Sequence, residues 1–165
     1  MLLNSWRFLT IMLTAFSLSL NMAHLLELPQ RMKFDRDLWV RVTVVEGVYR
    51  FFGSVGAVFE MGAIVAACAL AFALRGRGAA FRLALGGAIC LALAFGSWLM
   101  FVAPANAQFA GWLTGPIPPD WSRWRDQWEY THAINAAIKM TGLSLLVLSV
   151  LAESSTTVAA QSSSV

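Results

Sequence analysis

The chain has 165 residues, of which 58% are hydrophobic and only 13% are charged. Soluble domains carry about 25% charged residues, so this composition excludes an ordinary soluble protein and indicates an integral membrane protein in contact with a lipid bilayer. The formal net charge of +3 is typical of loop arginines at a membrane surface, and we expect no nucleic-acid partner because no soluble basic face with interleaved aromatic residues is present.

Four apolar stretches are long enough to cross a hydrocarbon layer of about 30 Å. They cover residues 8–26, 46–74, 83–102 and 129–151. The sequence therefore predicts an all-α fold: a four-helix transmembrane bundle over residues 1–152 with both termini on the same side, followed by a disordered polar tail over residues 153–165. A cleaved signal peptide is the alternative for the first stretch, but that stretch lacks a clean Ala-x-Ala ending.

The connecting segments suggest an orientation. Arg75, Arg77 and Arg82 form a short basic turn without acidic residues, and such turns favour the cytoplasmic side. We therefore expect a multi-pass protein of the bacterial inner membrane with cytoplasmic termini. Pro29 is predicted to end or kink the first helix. Residues 30–41 then read as a solvated polar loop, with Trp39 at the membrane interface, where Trp121 is also expected.

Two of the apolar stretches carry a polar stripe. At about 100° per residue, one face of the fourth stretch collects Trp121, Trp124, Arg125, Trp128, His132, Asn135 and Lys139. The first stretch has a similar face with Thr10, Thr14, Ser17, Asn21 and His24. Because charged groups are costly in hydrocarbon, we expect both stripes to face the protein interior or a wet cavity.

The predicted topology brings ionisable residues together at the loop end of the bundle. His24 and Glu27 close the first span, while Glu129 and His132 open the fourth. Glu60 lies inside the second span, where an ionisable side chain is a functional-site hypothesis by default. We predict one polar pocket at this end, with Glu60 either protonated or paired with a cation such as Arg50 or His24.

The residue types in this pocket suit acid–base chemistry. His132 is the candidate general base, oriented by Glu60 or Glu27 through its other ring nitrogen, and Arg125 or Arg50 is the candidate for stabilising an oxyanion. The predicted catalytic residues are His132, His24, Glu60 and Arg125. The predicted substrate-binding residues are Trp98, Asn106, Trp124, Trp128, Arg50 and Asn135. The rings of the three tryptophans would form flat walls for an aromatic molecule.

A metal site and a transporter are the alternatives. His24-x-x-Glu27 and Glu129-x-x-His132 have the i,i+3 spacing of di-iron carboxylate bundles, with Glu60 as a fifth ligand, but the third span has no acidic residue. An iron or haem site, the latter bridged by His24 and His132, is therefore less favoured than a site without metal or cofactor. A non-catalytic membrane subunit or small-solute transporter is the remaining class, and the sequence shows no inverted repeat that would support it.

The sequence also resembles the anthrone oxygenase-like membrane proteins, many of which are catalogued as a domain of unknown function. The likeness spans about Ala15 to Leu151 and is carried by Glu27-Leu-Pro29, Asn106, and Trp124-x-x-x-Trp128-x-x-x-His132. It implies oxidation of an anthrone-like phenolic substrate by dioxygen without a cofactor, with His132 as base. The family has a basic residue one turn after this histidine, whereas this chain has Asn135 and Ala136 there and Lys139 as the candidate replacement.

Overall fold

The structure, a computed structural model, describes residues 1–45 and 48–162, with side chains for residues 1–45 and 53–152. The regular structure in these ranges is helical. The helices are α1 Leu2–Arg31, α2 Arg36–Thr43, α3 Val48–Ala73, α4 Gly78–Ser97, α5 Ala103–Trp112 and α6 Trp121–Ser162, and a π-helical segment, Trp98–Val102, joins α4 to α5. Helix α6 thus includes residues 153–162 of the tail that the sequence predicts to be disordered, and residues 163–165 lie outside the described residues.

Four helical stretches in the described chain are long and apolar enough to cross a membrane: Leu2–Arg31, Gly53–Ala73, Gly78–Trp112 and Trp121–Ala152. Helix α1 packs against α3 and α6, and α4 packs against the same two helices. The long helices therefore form a closed ring in which each packs mainly against two neighbours. The predicted all-α transmembrane bundle is confirmed, and four successive crossings bring both termini to one side.

Small residues hold the terminal half of the bundle together. Its buried core contains Ala63, Ala67, Leu70, Ala84 and Leu91. Helices α4 and α6 approach closely where Gly87 faces Gly142, since a Cβ atom added at Gly142 would lie 3.3 Å from the Gly87 carbonyl oxygen. Apolar side chains gain little by leaving lipid for a protein interior, so close packing between small residues supplies much of the association energy.

The third transmembrane stretch is longer than the sequence predicts. The prediction that this span ends near residue 102 is wrong, because the π-helical segment continues it into α5 as far as Trp112. The Ala103 N–H donates to the carbonyl of Trp98, five residues earlier, and this wider turn precedes Pro104, which has no N–H to donate. Gln127 from α6 donates its amide N–H to the Phe101 carbonyl within this segment at 2.8 Å.

The segment after the first span is also more ordered than predicted. Pro29 is predicted to end or kink the first helix, and the first of these alternatives is wrong, because Pro29 lies inside α1, which continues to Arg31. A short turn then leads into α2, where the Leu38 N–H donates to the Asp35 side chain at 2.8 Å in an N-cap. Residues 36–41, expected to belong to a solvated polar loop, therefore form most of a helix that folds back over the end of the bundle.

The Gly87–Gly142 contact yields a stability prediction. A Cβ atom at Gly87 would lie 2.7 Å from Leu146 Cγ and 3.1 Å from the Gly142 carbonyl oxygen, so Gly87→Ala should destabilise the bundle by about 1–3 kcal/mol. Gly96→Ala is the matched control on the same helix, because a Cβ atom there meets nothing within 4 Å, and it should be neutral or stabilise by up to about 1 kcal/mol. Thermal unfolding in detergent compares the two, and equal effects would contradict the packing argument.

Candidate functional site

A cavity of about 320 Å³ lies between α1, α3, α6 and the α4–α5 connection. This volume falls within the range of about 300–1,000 Å³ that is usual for small-molecule sites. The predicted site residues that line it are His24, Glu27, Glu60, Trp98, Asn106, Trp128, His132 and Asn135. The predicted common pocket for His24, Glu60 and His132 is therefore confirmed as a feature of the fold.

A buried ion pair lies at the inner end of the cavity. Lys139 from α6 pairs with Glu60 from α3, and its Nζ also donates to Ser17 Oγ at 3.0 Å and to Asn21 Oδ1 at 2.7 Å. Ser17 Oγ in turn donates to the Glu60 carboxylate at 2.6 Å. Every proton of the ammonium group thus has an acceptor, which is the condition under which a buried charge is tolerated.

This pair corrects one part of the sequence interpretation. Glu60 has a cationic partner, as expected, but the partner that the structure shows is Lys139, whereas the sequence suggested Arg50 or His24. Side chains on an α-helix point back toward its N-terminus, so the long lysine side chain reaches up from its position to the level of Glu60. Arg50, the other predicted partner and a predicted substrate ligand, lies outside the described side chains.

The two histidines form a stacked pair in the middle of the cavity. Their ring centroids are 4.3 Å apart and the ring planes differ by 25°. Trp128 presents its ring at a steep angle to both, with centroids 4.7 Å from His24 and 4.5 Å from His132. The side-chain amide nitrogen of Asn21 lies 3.0 Å from His132 Nδ1. Asn21 therefore orients His132, and the expectation that Glu60 or Glu27 does so is wrong.

The π-helical segment and α5 position the aromatic wall. Trp128 donates its indole N–H to Asn106 Oδ1 at 2.8 Å, which ties the ring next to the histidines to α5. Trp98, the first residue of the π-helical segment, lines the cavity and stacks parallel to Phe95 at a centroid distance of 6.3 Å. Trp98, Asn106 and Trp128 lie on one wall because the third span continues through the π-helical segment into α5.

A second buried ion pair closes the loop end. Glu129 is 1% exposed, and its Oε1 accepts from Arg31 Nε at 2.7 Å and from the Trp39 indole N–H at 2.8 Å. Arg31 also donates to the Thr43 hydroxyl. The interpretation of Arg31 as part of a solvated face is wrong, because burial of Glu129 requires a cation. Trp39 is fully buried beside the same carboxylate, which draws α2 onto the bundle.

Two other predicted site residues lie away from the cavity lining. Arg125 donates to Asp126 at 2.8 Å and its guanidinium lies over the Trp121 ring at 4.9 Å. Trp124 packs against the aromatic cluster that contains Trp39 and Phe109. The structure therefore gives neither residue the catalytic or substrate-binding position that the stripe on α6 suggested.

Two polar residues of the site, Ser17 and Asn21, were given no role from the sequence, although both line the cavity. Lys139, which also lines it, was considered only as the replacement for a basic residue of the resembling family and not as the partner of Glu60. A signal existed for Ser17 and Asn21, because four buried polar side chains, Thr10, Thr14, Ser17 and Asn21, recur on one face of α1. A stripe of this kind in a membrane helix requires polar partners on the facing helix.

The arrangement does not fit the metal and haem alternatives. Within residues whose side chains are described, no group of three or more His, Cys, Asp and Glu residues is placed to hold one ion. Glu129 faces Arg31 and Trp39 instead of the histidines, and Glu27 is 61% exposed beside Arg31. The stacked rings of His24 and His132 also differ from axial haem ligands, which direct ring nitrogens at the iron from opposite faces.

Comparisons of the chain with models of protein families, with curated proteins and with solved structures find no match. The resemblance to the anthrone oxygenase-like proteins therefore stays a prediction. The functional argument rests on the geometry of the cavity and on the chemistry of its side chains.

The inner ion pair yields a prediction on stability. Lys139→Leu should destabilise the protein by about 3–5 kcal/mol, because it leaves Glu60 without its cation, whereas Glu60→Leu combined with Lys139→Leu should recover most of that loss. Thermal unfolding of the single and double variants in the same detergent measures the difference. A double variant that is no more stable than Lys139→Leu would show that the two side chains are not energetically coupled.

Asn135 yields a stability prediction that tests whether its side chain is directed at a ligand. Its side chain is 1% exposed and lines the cavity, and its Oδ1 has no hydrogen-bond partner among the described residues. An unsatisfied buried acceptor costs about 1–3 kcal/mol, so Asn135→Leu should leave the melting temperature unchanged or raise it. Asn21→Leu, the same replacement on α1, should lower it, because it removes contacts to both Lys139 and His132. Equal losses at both positions would contradict a ligand-directed role for Asn135.

Proposed function

We propose that this protein is a membrane-embedded oxygenase that oxidises a small phenolic or anthrone-like molecule with dioxygen, with the histidine pair removing the substrate proton and stabilising the resulting negative charge. The observation that carries the proposal is the stacked pair of His24 and His132 against Trp128 inside a cavity of about 320 Å³. Proton-transfer groups beside a flat aromatic wall suit a planar substrate with an acidic C–H bond.

The reaction we propose is balanced without a resident cofactor. A histidine removes a proton from the methylene carbon of the substrate, and the electron pair moves into the adjacent ring system as an enolate. The resulting carbanion adds dioxygen and, after protonation, becomes a hydroperoxide. Loss of the second C–H proton breaks the O–O bond, so that one oxygen atom remains as the new carbonyl and the other leaves as water. The methylene carbon loses four electrons, and dioxygen gains them.

The walls of the cavity support this chemistry in two ways. Aromatic rings of Trp98, Phe95 and Trp128 provide flat apolar surface for the substrate. The ion pair of Lys139 and Glu60 provides a fixed electrostatic environment that does not have to reorganise during the reaction, which is the usual source of electrostatic catalysis.

We place the protein in the bacterial inner membrane with its termini in the cytoplasm. Arg75 and Arg77 lie in the turn between α3 and α4, and Arg82 lies in the first turns of α4, at the end of the bundle that also holds both termini. Clusters of basic residues without acidic neighbours favour the cytoplasmic side. The cavity then lies in the half of the membrane that faces away from the cytoplasm.

Oxygen uptake by isolated membranes tests the proposed reaction. With a panel of anthrones and hydroquinones, His24→Ala and His132→Ala should each reduce oxygen-dependent turnover at least about 100-fold, since a general base typically contributes about 10²–10⁴-fold and an oxyanion donor about 10²–10³-fold. Tyr130→Ala is the control, because Tyr130 is an exposed residue of the same helix and does not line the cavity.

Two results would reject the proposal. Equal oxygen uptake by wild type, His24→Ala and His132→Ala across the panel, with all three proteins folded in the membrane, would favour a non-catalytic subunit or a small-solute transporter. Stoichiometric iron or haem in the purified, active protein would replace the cofactor-independent scheme.

A further inference from the structure

The orientation of the Asn21 side chain follows from its two neighbours. The ammonium group of Lys139 has three N–H donors and no acceptor, and it lies 2.7 Å from one end of the Asn21 amide. That end must therefore be the amide oxygen. The NH₂ group then faces His132, where it lies 3.0 Å from Nδ1 and 3.5 Å from the backbone carbonyl oxygen, two groups that accept hydrogen bonds.

This orientation determines where His132 carries its proton. A neutral imidazole has one N–H donor and one acceptor nitrogen. Because Asn21 directs an N–H at Nδ1, Nδ1 must be the acceptor and the ring proton lies on Nε2. A proton on Nδ1 would place two donors 3.0 Å apart, and Asn21 cannot turn its oxygen toward the ring without losing its bond to Lys139.

We propose that Lys139 and Asn21 are positioning residues that hold His132 as an Nε2–H hydrogen-bond donor. The inference deepens the proposed function by dividing the work of the histidine pair: His132 donates to the substrate oxygen, and His24 takes the substrate proton. In this step the C–H electron pair moves onto the substrate oxygen as an enolate, the proton moves to His24, and Nε2–H of His132 stabilises the new negative charge. His132 is then the oxyanion donor of the reaction and not its base.

The two carboxylates that line the cavity, Glu60 and Glu27, are less suited than His24 to take the substrate proton. Glu60 accepts from Lys139 and Ser17, so both members of the inner ion pair are committed to each other. Glu27 is 61% exposed and lies 3.5 Å from Arg31. His24 stacks directly on His132, so a substrate oxygen held by His132 places the neighbouring carbon within reach of His24.

Nitrogen NMR of the two histidines tests the tautomer directly. The chain contains only two histidines, so protein labelled with ¹⁵N-histidine in lipid nanodiscs gives a simple spectrum, and His24→Gln assigns the signals of His132. In wild type we expect a protonated Nε2 and an unprotonated Nδ1 for His132. A carboxylate can only accept, so Asn21→Asp should move the proton to Nδ1. Asn4→Asp, the same change at an exposed position of α1, should leave the His132 signals unchanged.

Turnover in the same variants tests the role. Loss of one oxyanion donor typically costs about 10²–10³-fold in rate, so Asn21→Asp should reduce oxygen uptake by this factor while Asn4→Asp does not. If His132 were the base, Asn21→Asp would present an unprotonated Nε2 to the substrate, and turnover would be maintained or would rise. Maintained or increased turnover therefore overturns the assignment of His132 as donor.

The two proposals fail separately. A proton on Nδ1 of wild-type His132, or an unchanged spectrum in a folded Asn21→Asp protein, overturns the positioning role whatever the activity. The expected spectra in a protein without oxygen uptake leave the positioning role intact and reject only the oxygenase. If Asn21→Asp does not fold, the double variant Glu60→Leu and Lys139→Leu decides: it frees the Asn21 amide to turn, so both tautomers should appear, and a single Nε2–H signal would overturn the role of Lys139.

Discussion

The buried pair of Lys139 and Glu60 is the constraint on which the cavity depends. Two charges in the middle of a membrane bundle persist only when their remaining protons and lone pairs are satisfied, and Ser17 and Asn21 of α1 perform that task. Because Asn21 must turn its oxygen to the lysine, its nitrogen is available only to His132. One electrostatic requirement thus ties α1, α3 and α6 together and also sets the chemistry of the central histidine.

A similar requirement shapes the loop end of the bundle. Glu129 enters the protein in the first turns of α6, and Arg31 and Trp39 both bind the same carboxylate oxygen. Arg31 comes from the end of α1 and Trp39 from α2, so the Glu129 carboxylate oxygen holds α2 over the cavity. Thr43, at the end of α2, lines the cavity and is held by Arg31. The polar ends of the cavity are therefore set by two ion pairs that also determine how the helices meet.

Between these two ends, the aromatic wall depends on backbone geometry. The wider turn at Trp98–Val102 allows the third span to continue past Pro104 into α5, and α5 supplies Asn106 to the Trp128 indole. Interruptions of this kind are frequent at functional sites because they rotate the residues that follow. Here the interruption brings Trp98 and Asn106 to the same wall as the histidine pair.

The sequence alone determined that this is an all-helical membrane protein with four spans, because long apolar stretches have few other stable structures in lipid. It also determined that His24, Glu60 and His132 face a common interior, since polar stripes of helical period cannot face hydrocarbon at low cost. Partner choice was decided only by the tertiary structure. Whether Glu60 meets Arg50 or Lys139, and whether Arg31 meets water or Glu129, depends on the depth and rotation of one helix against another. Helical periodicity carries no information on either quantity. A lysine side chain that points back along its helix also places its charge nearer the N-terminus of that helix than its Cα atom, so the depth of the charge differs from the depth of the residue.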